Sequence, residues 1–368
     1  MAAHTLIEVP SGVQCFVGEE ARRRREIESR VLGVFEGWAY EEIIPPLFDY
    51  ADVFSGPALT PKTYSFVSRD GSLLALRPDF TSLIAKIAAG RLADRTAPLR
   101  LYYSGEVLRY EPPKAGRQGE LYQMGLERIG GDRPRGDAEV LAIAAECLEA
   151  AGVGDFVLAV GHVGVFAGLL RDCEIAAAAV ESLRERVEAK DEGGVREELE
   201  RARVPPSVAD AVRRLSQLSG GREVLEEAAR AFAFSEPART AVAELQAVAA
   251  ALAAAGLEPR VSIDLGEVRG LDYYTGLVFR AFARGLGFEV GGGGRYDALL
   301  SRFGRPLPAV GFMLGLDRLA LLLEKQGREA ARPAAAAETV SGGDLADDLR
   351  RARERRSAGA RIRLADGR

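Results

Sequence analysis

Histidine and cysteine are scarce in this chain: two histidines, His4 and His162, and three cysteines, Cys15, Cys147 and Cys173, among 368 residues. The cysteines have no metal-ligand spacing and two histidines cannot complete a zinc set, so a reduced, cytoplasmic protein without metal or other cofactor is expected. No apolar run approaches the ~20 residues of a membrane span. The N-terminal MAAHTLIEVPSG has neither the basic start nor the apolar stretch of a signal peptide. An excess of basic charge is missing too: the formal net charge is −5. That argues against a broad nucleic-acid surface while leaving room for local basic patches. Phosphate loops of the GxxxxGK[ST] type, or a GxGxxG leading from a strand into a helix, are also absent.

What is present is a large core. Hydrophobic residues make up 47% of the chain, enough for one large domain with an insertion. Residues 18–37 place Ile27, Val31 and Phe35 four apart on an otherwise charged helix. WAYEEIIPP then reads as a short strand ended by Pro45-Pro46. Tyr64–Val67 and Ser72–Leu76 flank Arg69-Asp-Gly71, a hairpin signal. Thr81 stands where it would cap a following helix. Leu99–Leu108 and Leu121–Ile129 read as strands joined by a loop at 112–118, and 137–152 as a helix followed by a strand at 155–160. From about 165 to 255 the pattern is almost wholly helical, interrupted at Pro205-Pro206 and Gly220-Gly221, which suggests a helical insertion. Residues 260–319 return to strands and a final helix. ARPAAAAETVSGG (331–343) reads as a linker, and the end of the chain as one charged helix with a short strand.

Four constellations carry possible chemistry. In the strand Leu121–Ile129, Gln123, Gly125 and Glu127 share a face. An amide, a gap and a carboxylate suit a small polar ligand with a positive amino group, although a solvated face with cross-strand charge pairs would read the same. Arg109, at the end of the preceding strand, offers a planar fork for a carboxylate or phosphate. Arg77-Pro-Asp-Phe-Thr81 puts a carboxylate and a hydroxyl at a helix start, as a plain N-cap would. In Arg269-Gly-Leu-Asp-Tyr-Tyr-Thr-Gly276, adjacent Tyr273 and Tyr274 beside Arg269 and Asp272 carry many polar groups for a pure core and suit a binding surface. Gly291–Gly294 permits close backbone approach or a tight sheet corner.

In this order the blocks RGLDYYTGLVF, GGGGRYDALLSRFG and PAVGFMLGLDRL resemble the signature of the histidyl-tRNA synthetase family. The resemblance runs from Pro10 to about Leu323. It implies an α+β class II aminoacyl-tRNA synthetase core, an antiparallel sheet flanked by helices, over residues 1–325, followed by a tail at 326–368 too short for a full anticodon-binding domain. It makes the helix from 18 and the strand to Pro46 the dimer motif. Asp79, Thr81, Gln123, Glu127, Tyr274 and Tyr296 match positions lining the family's histidine pocket, with Tyr273 and Arg109 beside them and Arg269 on the histidine carboxylate. Arg109, Glu111 and Arg318 match the ATP-binding positions.

The departures are specific. The family's RPEGT is here RPDFT, with Phe80 in place of glycine; Pro112 and Gly119 stand where the second motif has arginines. This pattern is similar to the synthetase paralogues that serve as regulatory subunits of short-form ATP phosphoribosyltransferase. That similarity implies no catalysis, a catalytic short-form ATP phosphoribosyltransferase subunit as partner, and L-histidine as effector. It also implies a homodimer inside a hetero-oligomer, a hetero-octamer in that family, and no tRNA. The alternatives are a truncated histidyl-tRNA synthetase or another amino-acid adenylating ligase, which Arg109, Arg269 and Arg318 would serve, and a scaffold with a dead pocket.

Overall fold

A computed structural model describes residues 7, 9, 10, 12–56, 59–110, 119–268, 273–327 and 337–365. The chain divides into two compact units, Met1–Arg328 and Glu329–Arg368.

In the first unit, helix α1 (Gly18–Gly37) precedes β1 (Glu41–Glu42). The stripe expected to face a partner is core instead: Ile27, Val31 and Phe35 have no exposed surface. Phe35 packs on Tyr102 and Phe312 of the main sheet, with ring centroids 5.6 and 6.0 Å apart. An amphipathic stripe requires an apolar cover, and here the subunit's own sheet supplies it.

Strands β2 (Phe48–Tyr50), β3 (Ser65–Val67) and β4 (Leu73–Leu76) form a small antiparallel sheet in the order β2-β4-β3. The β3–β4 hairpin turns where Asp-Gly predicts it. Asp70 accepts from the Ser72 amide at 3.0 Å and Gly71 takes φ +87°, a conformation glycine adopts without steric cost. Helix α2 (Thr81–Ala89) follows. Its cap differs from the expectation: Asp79 accepts from the Ser82 amide at 2.8 Å, and Thr81 is already the first helical residue.

Strands β5 (Leu99–Leu108) and β6 (Glu120–Ile129) make the long central hairpin, followed by α3 (Arg133–Ala150) and β7 (Phe156–His162). Asp132 and Pro134 start α3, the carboxylate as cap and the proline in the first turn. Next come α4 (Val163–Leu170), α5 (Ala177–Glu188), α6 (Glu192–Arg201) and α7 (Pro206–Leu215). The break expected at Gly220-Gly221 is in part a strand, β8 (Ser219–Gly220), before α8 (Glu223–Ala231) and α9 (Glu236–Ala254). The unit closes with β9 (Val261–Asp264), β10 (Leu277–Ala283), β11 (Gly291–Arg295), β12 (Ala309–Gly315) and α10 (Leu316–Lys325).

Nine strands form one sheet in the order β1-β5-β6-β12-β11-β10-β7-β9-β8, parallel at β1–β5 and β7–β9 and antiparallel elsewhere. This is the α+β class the sequence led us to expect. The four glycines 291–294 are neither a corner nor a loop but the middle of the sheet, pairing with β10 and β12.

In the second unit, β13 (Glu338–Val340) and β14 (Ile362–Leu364) pair in parallel around α11 (Leu345–Ser357). Residues 338–340, expected in the linker, are therefore a strand. Arg355 pairs with Glu338 at 2.9 Å.

Candidate functional site

The two faces of the β5–β6 hairpin separate cleanly. The even-numbered face lies against α1, where the Tyr122 and Ser104 hydroxyls donate to Glu28 at 2.6 and 2.7 Å. The odd-numbered face carries Gln123, Gly125 and Glu127 toward α2, with Tyr103 opposite Gly125 and Leu101 opposite Glu127. Gln123 and Glu127 are almost wholly buried, so the solvated-face alternative does not hold.

Glu127 is the centre of this face. Its Oε1 accepts from the Thr81 hydroxyl at 2.7 Å, and its Oε2 accepts a short hydrogen bond from the Tyr296 hydroxyl. Burial pushes its carboxyl up to about 8, against the pull of those two hydroxyls and helped by the nearby Asp79. Asp79 is raised as well, again by burial, with the Ser82 amide and Arg109 acting in the opposite sense. Two carboxylates are thus held in one enclosed place. Tyr273 stacks on Tyr296 with ring centroids 5.4 Å apart and meets Tyr274 edge-on at 5.1 Å.

Glycines make room for this cluster. A Cβ at 294 would lie 2.9 Å from the Tyr274 ring, and one at 311 would collide with the Glu127 carboxylate. The gap at Gly125, expected to admit a ligand, is taken by the protein itself: a Cβ there would lie 2.5 Å from the Tyr103 hydroxyl.

The arginines expected at the ATP end are engaged within the chain. Arg109 donates from Nε to the Pro78 carbonyl at 2.8 Å, which places it beside Asp79. Arg318 donates to the Glu289 carbonyl at 2.7 Å and to its carboxylate at 3.0 Å, with Phe288 near its guanidinium. Arg269, Asp272, Glu111 and Pro112 lie outside the described residues.

The structure therefore brings Asp79, Thr81, Arg109, Gln123, Glu127, Tyr273, Tyr274 and Tyr296 to one part of the sheet face, and Arg318 to the start of α10. Sequence reasoning missed three supports. Arg295, buried within GGGGRYD, binds Asp137 at 2.6 Å, Asp297 at 3.0 Å and the Arg133 carbonyl at 3.2 Å, fixing the residue next to Tyr296. Buried Arg77 donates to the Glu106 and Pro45 carbonyls at 2.6 and 2.9 Å. Tyr103 could have been found by extending the period of two from Gln123 to the strand paired with it.

The histidyl-tRNA synthetase family model matches residues 12–319. A curated ATP phosphoribosyltransferase regulatory subunit from Moorella thermoacetica is 41% identical over 367 residues, covering 99% of this chain and 93% of that one. One from Geobacter sulfurreducens is 40% identical, covering 86% and 73%. Among solved structures, a Bacillus halodurans C protein described as an ATP phosphoribosyltransferase regulatory subunit/histidyl-tRNA synthetase superposes with a TM-score of 0.87 at 30% identity, covering 99% and 94%. Histidyl-tRNA synthetase from Nostoc sp. PCC 7120 gives 0.82 at 25% identity, covering 99% and 87%.

Proposed function

The chain belongs to the histidyl-tRNA synthetase family and, within it, to the ATP phosphoribosyltransferase regulatory subunits, and from that premise we propose that it activates and regulates a short catalytic ATP phosphoribosyltransferase chain. That partner performs the first step of histidine biosynthesis, and L-histidine is the feedback effector. The synthetase-like core does no chemistry of its own. The two proteins form a hetero-oligomer, a hetero-octamer, around a homodimer of this chain; Ile44, 84% exposed just before Pro45, leaves apolar surface for the dimer contact once the α1 stripe is used internally.

One observation carries this reading: the amino-acid end of the site is built and the nucleotide end is not free. Asp79 and Glu127 stand close together at the first, whereas Arg318 at the second is already paired with Glu289. Asp79 and Glu127 take the ligand's ammonium, with Thr81 and Gln123 completing its hydrogen bonds. Arg269 takes the carboxylate, Tyr274 the imidazole side, and Tyr273 and Tyr296 the walls. Arg109 supports Asp79. A pocket that distinguishes histidine needs only a two-state subunit contact to become a feedback sensor.

The test is threefold. Mixing with the short catalytic chain should raise phosphoribosyl transfer to ATP, and histidine should lower it. Calorimetry should detect histidine binding to this chain alone. Histidine-dependent ATP–pyrophosphate exchange should be absent; exchange at the rate of an active synthetase would overturn the regulatory reading in favour of an adenylating enzyme.

A further inference from the structure

Phe80 stands where the resemblance to the synthetases implies glycine, and its surroundings give that difference a consequence. The ring is 1% exposed and stacks on Tyr103 with centroids 4.2 Å apart and planes 19° apart. The Arg77 guanidinium lies 4.2 Å from the same centroid. Two planar groups cannot share one face at that separation, so Phe80 is sandwiched between them. Arg77 cannot give way, because backbone carbonyls of Pro45 and Glu106 hold it. Gly105 is required beside the stack: a Cβ there would lie 2.9 Å from Arg77 and 3.3 Å from Phe80.

The stack ends at the pocket. The Tyr103 hydroxyl lies over Gly125, between Gln123 and Glu127 on the same sheet face. Burial, with Glu127 and Asp79 nearby, holds the phenol well above its usual range. It therefore stays protonated and offers one donor and one acceptor. An ammonium drawn to those two carboxylates comes within reach of it. We propose that Tyr103 is a further ligand-contacting residue of the amino-acid pocket, and that Phe80 is the positioning residue that holds its hydroxyl there. This rests on the proposed binding of histidine in that pocket.

The experiment is histidine calorimetry on the full chain with Tyr103→Phe, Phe80→Leu and the double variant, alongside thermal unfolding. Tyr103→Phe keeps ring and stack, so it should unfold with the parent yet bind about tenfold more weakly, the usual effect of losing a hydrogen bond to a charged group. Phe80→Leu keeps most of the volume without a flat ring and should also weaken binding. The double variant should be no worse than Tyr103→Phe alone, because Phe80 acts through Tyr103. Costs that add, or a Tyr103→Phe variant that binds like the parent, would overturn the assignment while leaving the histidine site standing. A parent chain that binds no histidine would remove both.

Discussion

The proposed amino-acid end of the site and the proposed nucleotide end are built on opposite principles. At the first, Thr81 of α2 and Tyr296 at the end of β11 converge on buried Glu127 of β6, whose partners are hydroxyls, with Asp79 nearby. At the second, Arg318 is already paired with Glu289, and Arg109 donates to the Pro78 carbonyl and lies beside Asp79. An enclosed site in which burial keeps a carboxyl protonated favours a cationic ligand, whose charge would offset the cost of ionising it. Arginines that must first release their own partners make a poor clamp for a developing transition-state charge. On the proposed function, a recognition pocket persists where the catalytic half is turned inward.

The largest effect expected is on the frame of the first end. Arg295 and Asp137 have side chains 2% and 3% exposed and pair at 2.6 Å. Arg295→Ala would strand a buried carboxylate and should lower unfolding free energy by ~3–5 kcal/mol, measured by urea denaturation. A loss below about 1 kcal/mol would mean that Tyr296 is positioned by something else.

Within the pocket, Glu127→Ala should weaken histidine binding at least tenfold while the chain stays folded. Removing one partner of a buried charged pair costs ~2–5 kcal/mol, part of it the penalty on the ligand's stranded ammonium. Arg269→Ala should do the same at the carboxylate. Calorimetry decides, and two variants that bind like the parent would place histidine sensing at the subunit contact.

The pH dependence is smaller and has a definite sign. Glu127 titrates near 8 in the free protein because it is buried, well above the ordinary ~4.3 of a glutamate. Folded protein therefore holds a proton that unfolded chain has lost, and this carboxyl makes stability fall as pH rises from about 4 to 8. Binding an ammonium needs the ionised form, so binding must release that proton. Histidine affinity should rise about fivefold from pH 7 to 8, following the ionised fraction. Over that range a free imidazole is already mostly neutral. Proton release shows as a buffer-dependent binding enthalpy, and Glu127→Gln should abolish it. Release of no proton at pH 7 would mean that Glu127 is ionised before the ligand arrives.

These contrasts were only partly legible in the sequence. Period-two alternation was enough to put Gln123, Gly125 and Glu127 on one face, and Asp-Gly was enough to place the hairpin turn, because both are local rules. Ile27, Val31 and Phe35 were legible as a stripe but not in what covers them, since a partner and the chain's own sheet demand the same pattern. Asp79 and Thr81 were interchangeable as caps until Thr81 was seen to spend its hydroxyl on Glu127, 46 residues away. The Arg295–Asp137 pair spans 158 residues, and the Tyr103 hydroxyl over Gly125 depends on strand register. No local pattern encodes either.

The smallest effect tests the second end directly. Arg318 and Glu289 are 34% and 27% exposed in their side chains, so their pair contributes at most ~1 kcal/mol, and Glu289→Ala should leave stability nearly unchanged. What it changes is availability: Arg318 keeps its bond to the residue 289 carbonyl but loses its carboxylate partner, so its guanidinium charge can serve an anion. Binding of Mg-ATP, followed by calorimetry, should strengthen by a few fold at most. Histidine-dependent pyrophosphate exchange should still be absent, because Pro112 and Gly119 stand where the resemblance implies arginines, and charge-assisted contacts of that kind contribute ~1.5–3 kcal/mol each. If exchange appears in this variant, Glu289 is a gate on a working adenylation site. The two ends would then differ in access and not in construction.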